Sequence, residues 1–358
     1  MNKINNNILT FICVLIAADF LFSQNNIKKT VECDDPKYKK FWEEAIIKYP
    51  LPESAKELYY QHSFPDDTLV EQNIYLWMPM DIAMDGEGRI YVLDQKWRQI
   101  FVFDKSGQYL RKFGKKGPGP GELSIPVCIG VSGNYAYIID NGNRNIQIYS
   151  LDGEYIEAKK LFRSYFKIAL DSFGNVYAVP LRSGPEQYLI DVFDSHGEFL
   201  KSILKPNDTV NSIPPFLANL AHIGMNSRQE LFFCFQSYPL VIIYDINKQT
   251  IKEMKIENKM INEEVKSNLK NASLKIHQTT PIIEGIQAAA HGGFYILHGF
   301  PRTEIYEYNE NGQLINDYWH TKVCNYRARD IVINEKDRRI YFMQLIPEFK
   351  IDIFRLDR

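Results

Sequence analysis

Apolar and polar residues alternate along most of this chain in short runs, each closed by a turn-forming cluster, and the runs recur in a fixed order. Asp81-Ile-Ala-Met-Asp-Gly-Glu-Gly-Arg-Ile-Tyr-Val-Leu-Asp94 reads as an apolar strand, a polar turn and a second strand ending in Asp. Cys128-Ile-Gly-Val-Ser-Gly-Asn-Tyr-Ala-Tyr-Ile-Ile-Asp140 has the same grammar. About a dozen residues after Tyr91 and Tyr137 come Phe103-Asp-Lys-Ser-Gly107 and Tyr149-Ser-Leu-Asp-Gly153, each an aromatic strand end followed by a turn and another strand. Each unit therefore predicts three strands and a fourth leading onward.

The pattern recurs four more times. The third unit has Ile168-Ala-Leu-Asp-Ser-Phe-Gly-Asn-Val-Tyr177 followed by Val192-Phe-Asp-Ser-His-Gly197. The fourth is eroded to Ile223-Gly-Met-Asn226, Leu231 to Phe235 and Val241-Ile-Ile-Tyr-Asp245. The fifth runs from Ile286 through His291-Gly-Gly-Phe-Tyr295 to Gly312, and the sixth has Ile331-Val-Ile-Asn334, Arg339-Ile-Tyr-Phe342 and Ile351-Asp-Ile-Phe354. A spacing of roughly 40 to 65 residues is that of propeller blades or slightly above it. The fold class expected is all-β, a six-bladed β-propeller with four-stranded antiparallel blades and a short N-terminal helix. The first strand of each unit supports it: Ala83, Gly130, Ala169 and Gly224 lie between larger residues, as expected where blades converge on an axis and space is least.

These residues resemble the NHL-repeat family, whose blades carry a proline-led first strand, a D-x-x-G-x-h-Y-V-x-D turn and second strand, and an Arg-led third strand. The resemblance is closest from Met80 to Gly153, where Asp94 with Arg98 and Asp140 with Arg144 stand at the family positions. Phe113-Gly-Lys-Lys-Gly-Pro-Gly-Pro-Gly-Glu-Leu123 is similar to the family's inter-blade linker. Pro180 replaces the repeat Asp in the third unit, and Cys234 stands near that place in the fourth. The resemblance implies a fold and not an activity, because propellers host many unrelated functions.

Three segments lie outside the repeat. The last unit ends after its third strand, so another segment must supply the fourth; Thr68 to Trp77 reads as a strand and is expected to close the ring there, with Val70 to Leu76 pairing against the blade that ends at Phe354. Asp35-Pro36 opens a helix through Lys48, and Asn262 to Asn271 predicts another, with Ile261, Val265 and Leu269 at four-residue steps. The domain division is 1–23 signal peptide, 24–66 N-terminal extension with a short helix, and 67–358 propeller.

The N-terminus changes the picture. Lys3 is followed by an apolar run from Ile8 to Phe22, broken only by Thr10 and Asp19, with Ser23 before Gln24. The run is short for a membrane span and fits a signal-peptide core, so the protein is expected to be exported, to the periplasm, cell surface or medium, with no membrane span after removal; an uncleaved anchor is the alternative. Charge adds one exclusion: 42 Lys and Arg against 44 Asp and Glu leave no basic field for a phosphate backbone, so no nucleic-acid partner is expected. Cys33, Cys128, Cys234 and Cys324 have no metal-ligand spacing, and buried free thiols are the commoner role for such scattered cysteines, three pairings being open in an oxidising compartment.

No Ser-centred elbow, His-Glu zinc helix or Walker-type loop occurs in the sequence. The Asp94/Arg98 and Asp140/Arg144 pairs recur with the repeat and read as turn bonding, the Asp accepting from backbone and guanidinium. The informative position is the one just before each inner strand, which in a propeller opens on the central channel: Asp81, Cys128, Lys167, His222, Gly285 and Asp330, with Gln287 two residues into the fifth strand. Asp81, Lys167, His222, Gln287 and Asp330 are therefore the candidate ligand-binding residues at a channel mouth. Propeller sugar-lactone hydrolases resembling this fold hold a divalent cation with several carboxylates and an Asn; two carboxylates beside Lys167 do not match that set, and no metal, cofactor or catalytic residue is predicted. The expected function is a non-catalytic module that binds a small polar ligand or a protein partner, a channel-mouth hydrolase or lyase being the alternative. Substituting His222 or Asp330 by Ala is expected to leave stability nearly unchanged, as for surface positions. For export, the expected outcome is mature protein that begins near Gln24; mass spectrometry showing Met1 retained would contradict it.

Overall fold

The computed structural model describes residue 48 and residues 51–356, apart from 182–186, 215–216, 219, 257–258, 275–280, 300–302, 321–326 and 347–348. The expected signal segment, all of the expected Asp35–Lys48 helix but Lys48, and Cys13, Cys33, Cys324 and His277 lie outside the described residues.

Six antiparallel sheets are arranged as blades, each read from the inside outward. Blade 1 consists of Pro79–Met84, Ile90–Asp94, Gln99–Phe103 and Tyr109–Phe113; blade 2 of Pro126–Ser132, Tyr135–Asp140, Asn145–Ser150 and Tyr155–Lys160. Blade 3 is built from Tyr165–Leu170, Val176–Pro180, Ile190–Phe193 and Phe199–Ile203, and blade 4 from Ala221–Met225, Glu230–Phe235, Leu240–Asp245 and Thr250–Lys255. Blade 5 contains Ile283–Ala288, Phe294–His298, Glu304–Tyr308 and Leu314–Trp319, and blade 6 Arg327–Asn334, Arg339–Ile346 and Lys350–Arg355. The first strands of neighbouring blades touch all the way round, blade 6 against blade 1 included.

The repeat's polar residues build its turns. In blade 1 the Asp85 carboxylate accepts from the Glu87 and Arg89 backbone N–H groups at 2.9 Å each, and from the Tyr91 hydroxyl at 3.0 Å. Asp171 does the same with Phe173, Asn175 and the Tyr177 hydroxyl. The Asp thus satisfies turn donors that would otherwise be left unpaired, while Gly88, at φ +83°, supplies the left-handed residue the hairpin needs. The repeat Asp at the end of the second strand ties down the connection that enters its own blade: Asp94 accepts from Trp77 and Met78, and Asp140 from Ser124 and Ile125. The Arg98 guanidinium donates to the Ser124 and Lys96 carbonyls, where the sequence pairs it with Asp94. An Arg98 φ of +56° turns its side chain toward the next blade's connection.

Cores form between blades. Tyr91, Leu93, Ile100 and Val102 of blade 1 pack on Ile129, Ala136, Ile138 and Tyr149 of blade 2. The small inner-strand residues lie where the next blade approaches: a Cβ on Gly130 would come within 2.8 Å of Leu170, and one on Gly224 within 3.2 Å of the Ala288 nitrogen.

An N-terminal segment does complete the last blade, but it is not Thr68 to Trp77. Tyr59–Phe64 pairs antiparallel with Lys350–Arg355, with Tyr60 opposite Phe354 and Phe64 opposite Ile351. Asp67–Glu71 is instead one turn of helix, because the Asp66 side chain accepts from the Leu69 N–H and starts it. The expected strand and this turn are nearly indistinguishable by composition; a local cap decided between them. Lys56–Glu57 adds a short parallel edge to blade 5. The helix between blades 4 and 5 is present and longer than expected, Lys259–Ser273. Ile261 and Val265 are buried on Ile282 and Ile283, whereas Leu269 is exposed and Asn268 is buried, donating to the Ser237 carbonyl at 3.3 Å.

Closure is tested at Phe64, which is 2% exposed and packs on Phe103 of blade 1, the tilted rings' centroids 4.7 Å apart. Phe64→Ala is expected to destabilise the whole propeller by about 3–5 kcal/mol in denaturant unfolding; an unchanged transition midpoint would place this strand outside the cooperative unit.

Candidate functional site: an axial cavity

The same repeat position in six blades falls at one end of the central axis, so residues far apart in sequence meet there. Asp81, Lys167, His222, Gln287 and Asp330 all line one axial cavity of about 250 Å³. Cys128, at the same register, is buried between blades 2 and 3 and remains a free thiol, as does Cys234.

The charged groups are joined to one another. The Lys167 ammonium crosses from blade 3 to Asp81 of blade 1, with Nζ to Oδ1 at 2.5 Å, and also donates to Asp330 Oδ2 of blade 6. Asp81 and Asp330 flank the seam where the ring closes, so one Lys ties both sides of it from across the axis. Their remaining capacity goes to backbone: Asp81 Oδ1 accepts from Ile82 N–H at 3.1 Å, Asp81 Oδ2 from Ile129 N–H at 2.8 Å, and Asp330 Oδ1 from Ile331 N–H at 2.9 Å. Gln287 is committed too, its amide donating to the Ile333 carbonyl at 2.8 Å and accepting from the Ile333 N–H at 2.6 Å. These hydrogen bonds join blade 5 to blade 6.

Electrostatics follow from burial and from this pairing. Burial pushes the Asp330 carboxyl up to about 7; Lys167 opposes the rise and Asp81 adds to it. For Lys167 burial disfavours the charge, but the two carboxylates outweigh it and hold the ammonium above its ordinary range. Burial, with Lys167 and Arg329 nearby, holds His222 well below its usual range, so it is a neutral imidazole. Its ring lies edge-on to Phe166 at 5.7 Å, and its Nε2 is buried without a hydrogen-bond partner.

The expected channel mouth is the more closed of the two ends. The Asp81, Lys167 and Asp330 side chains are 6%, 12% and 11% exposed, and His222 is 4% exposed. At the other end of the inner strands Met84, Val131, Leu170, Met225 and Ala288 are half-buried. The cavity is thus a channel with a charged, closed end and an apolar approach. The expectation of near-neutral Ala substitutions rested on exposed positions, whereas Asp330 is buried in an ionic cluster and His222 is buried beside it. Two further histidines serve the structure: His291 caps its own turn at Gly293, and His298 is buried against Glu264. Among the described residues no cluster of His, Cys, Asp and Glu has the makings of a metal site.

Two sets of residues escaped the sequence. One is Gln95 and Asn141, each following the repeat Asp, whose amides donate to Pro126 O and Tyr165 O of the next blade. An amide after that Asp is the signal for them. The other is Ile82, Ile129 and Ile331, which act through main-chain N–H groups that donate to Asp81 and Asp330 and so leave no chemical signature beyond an apolar residue type.

The DUF5128 family, described as a six-bladed β-propeller, matches residues 76–206, which are blades 1 to 3. The fold is similar to a DUF4221-family member from Bacteroides vulgatus, with a TM-score of 0.59 and 14% identity over 85% of this chain and 98% of that one. It is also similar to a Bacteroides fragilis protein inferred to be exported, with a TM-score of 0.55 and 14% identity over 85% and 96%. A catalytically inactive virginiamycin B lyase from Staphylococcus aureus, solved with quinupristin, has a TM-score of 0.51 and 12% identity over 78% and 94%. At these identities the likeness is one of fold alone. No curated protein matches the sequence. The chain is a six-bladed β-propeller, and no helix among its described residues is long and apolar enough to cross a membrane.

The raised Asp330 carboxyl has a sign that can be checked. A carboxyl whose folded value lies above its unfolded one binds more protons in the native state, so its stabilising contribution is present below about pH 4 and is lost as pH rises through 7. Asp330→Asn keeps the shape and removes that titration. Its melting temperature relative to the parent is therefore expected to climb between pH 4 and pH 8; a difference independent of pH would contradict the assignment.

Proposed function

We propose that this protein is an exported, NHL-like propeller that binds a small polar ligand in its axial cavity and does no chemistry on it. The observation that carries this reading is the state of the charged end: Lys167 is held by two carboxylates, and the Asp81 and Asp330 oxygens accept from main-chain N–H groups. Groups saturated in this way make a fixed polar surface and leave no nucleophile beside a base. A cavity of about 250 Å³ matches a ligand of a few non-hydrogen atoms rather than a polymer. Export rests on the apolar N-terminal run before Gln24.

A second reading, a lyase or hydrolase, has one specific observation in its favour. His222 is neutral with an unpartnered Nε2, and Asp330 is poised near 7, a pairing of the kind that acid–base catalysis uses. Binding and turnover separate the two. Small polar metabolites screened by ligand-observed NMR are expected to yield saturable binders recovered unchanged, and Met225→Trp at the open end is expected to abolish their binding without lowering the melting temperature by more than a few degrees. Product formation that His222→Gln abolishes would establish the enzyme reading, and binders indifferent to Met225→Trp would remove the cavity as the site.

A further inference from the structure

The innermost strand of each blade has one edge paired with its neighbour and one edge facing the axis, so alternate residues aim their main-chain N–H and C=O inward. The hairpin hydrogen bonds fix which ones. Asp171 N–H bonds the Asn175 carbonyl, Asn226 N–H that of Glu230 and Ala289 N–H that of Gly293. Counting back by the antiparallel alternation leaves Ile168, Ile223 and Ile286 opposite Ala178, Phe233 and Ile296 in non-hydrogen-bonded pairs, with their N–H groups turned to the axis. Ile82, Ile129 and Ile331 are their counterparts in blades 1, 2 and 6. Six equivalent N–H groups therefore ring the axis at the level of the charged cluster.

Half of this ring is occupied. The Asp81 carboxylate spans two adjacent blades, one oxygen on the Ile82 N–H and the other on the Ile129 N–H, and Asp330 takes the Ile331 N–H. No described hydrogen bond supplies an acceptor to the Ile168, Ile223 or Ile286 N–H, although these residues line the cavity. Inward-facing donors at a sheet edge form a concavity for an oxygen anion, and an N–H removed from water needs an acceptor. The protein's own Asp81 shows what fits: a planar group with two oxygens, bridging neighbouring blades. Beside the unfilled arc, His222 adds a neutral ring and Lys167 keeps one ammonium hydrogen beyond those given to Asp81 and Asp330.

Resting on the cavity reading above, we infer that the arc formed by Ile168, Ile223 and Ile286 seats the carboxylate of a small organic acid whose apolar body lies along the channel toward Leu170 and Met225. Asp81 and Asp330 lie on the opposite arc, where Lys167 stands between their charge and the ligand's. Main-chain donors cannot be deleted without risk to the fold, so the test reads them directly.

The protein labelled with [15N]isoleucine is titrated at pH 6 with pentanoate, pentylamine and pentanol, three ligands of one skeleton, with the amide signals assigned through single Ile→Val variants. Pentanoate is expected to move the Ile168, Ile223 and Ile286 amide resonances saturably and to leave Ile82, Ile129 and Ile331 much less changed, while pentylamine does not bind. Pentylamine or pentanol perturbing the Met225 methyl signal while pentanoate leaves the three amides in place would overturn the carboxylate seat and leave the cavity reading standing. Silence from all three ligands at every cavity residue would overturn both.

Discussion

Everything at the axis depends on ring closure. A circular array of sheets ends in an open seam unless the last blade is completed by a strand from the first part of the chain, and here Tyr59–Phe64 completes blade 6 against Lys350–Arg355. That pairing brings the inner strand of blade 6 against that of blade 1, and with it Asp330 beside Asp81. Two carboxylates forced together in a buried place repel, and the cost is offset by one Lys reaching over from blade 3. The seam is therefore held twice: at the periphery by a strand ladder and by Phe64 on Phe103, and at the centre by an ionic cluster.

The same cluster defines what the cavity presents. A buried Lys between two carboxylates leaves about one negative charge when all three are ionised, and the rise in the Asp330 value is how the fold relieves it. The polar groups at this end are spent on each other and on the inner-edge N–H groups of three blades, which leaves the arc of blades 3 to 5 as the asymmetric, unfilled part of an otherwise sixfold pattern. Asymmetry of this kind is what a repeat architecture needs in order to bind anything specific, since a perfect repeat presents the same surface six times.

Similarity to other propellers reaches the scaffold and stops there. Structures at 12–14% identity superpose over most of their length whether they come from a DUF4221 protein or from a lyase solved with quinupristin, because the blade grammar is satisfied by many sequences. The inter-blade hydrogen bonds from Gln95 and Asn141 recur with the repeat, whereas that from Gln287 joins blades 5 and 6 alone among the described residues.

The sequence by itself determined the blade count, the strand order and most of the turns, because each is governed by local chemistry that the repeat carries: an Asp or Asn to hold turn donors, a Gly for the left-handed residue in most blades, alternating apolar positions for the faces. It also determined which residues share the axial register, so that Asp81, Lys167, His222 and Asp330, with Gln287 two residues further along its strand, were identifiable as neighbours although they are scattered from blade 1 to blade 6. The tertiary structure alone decided that this end is closed rather than a mouth, that Gln287 serves the seam between blades 5 and 6, and that Tyr59–Phe64 rather than Thr68 to Trp77 closes the ring. Burial, the partner of a long flexible Lys, and the direction of a main-chain N–H all depend on what packs alongside, and a one-dimensional pattern of residue types does not carry that information.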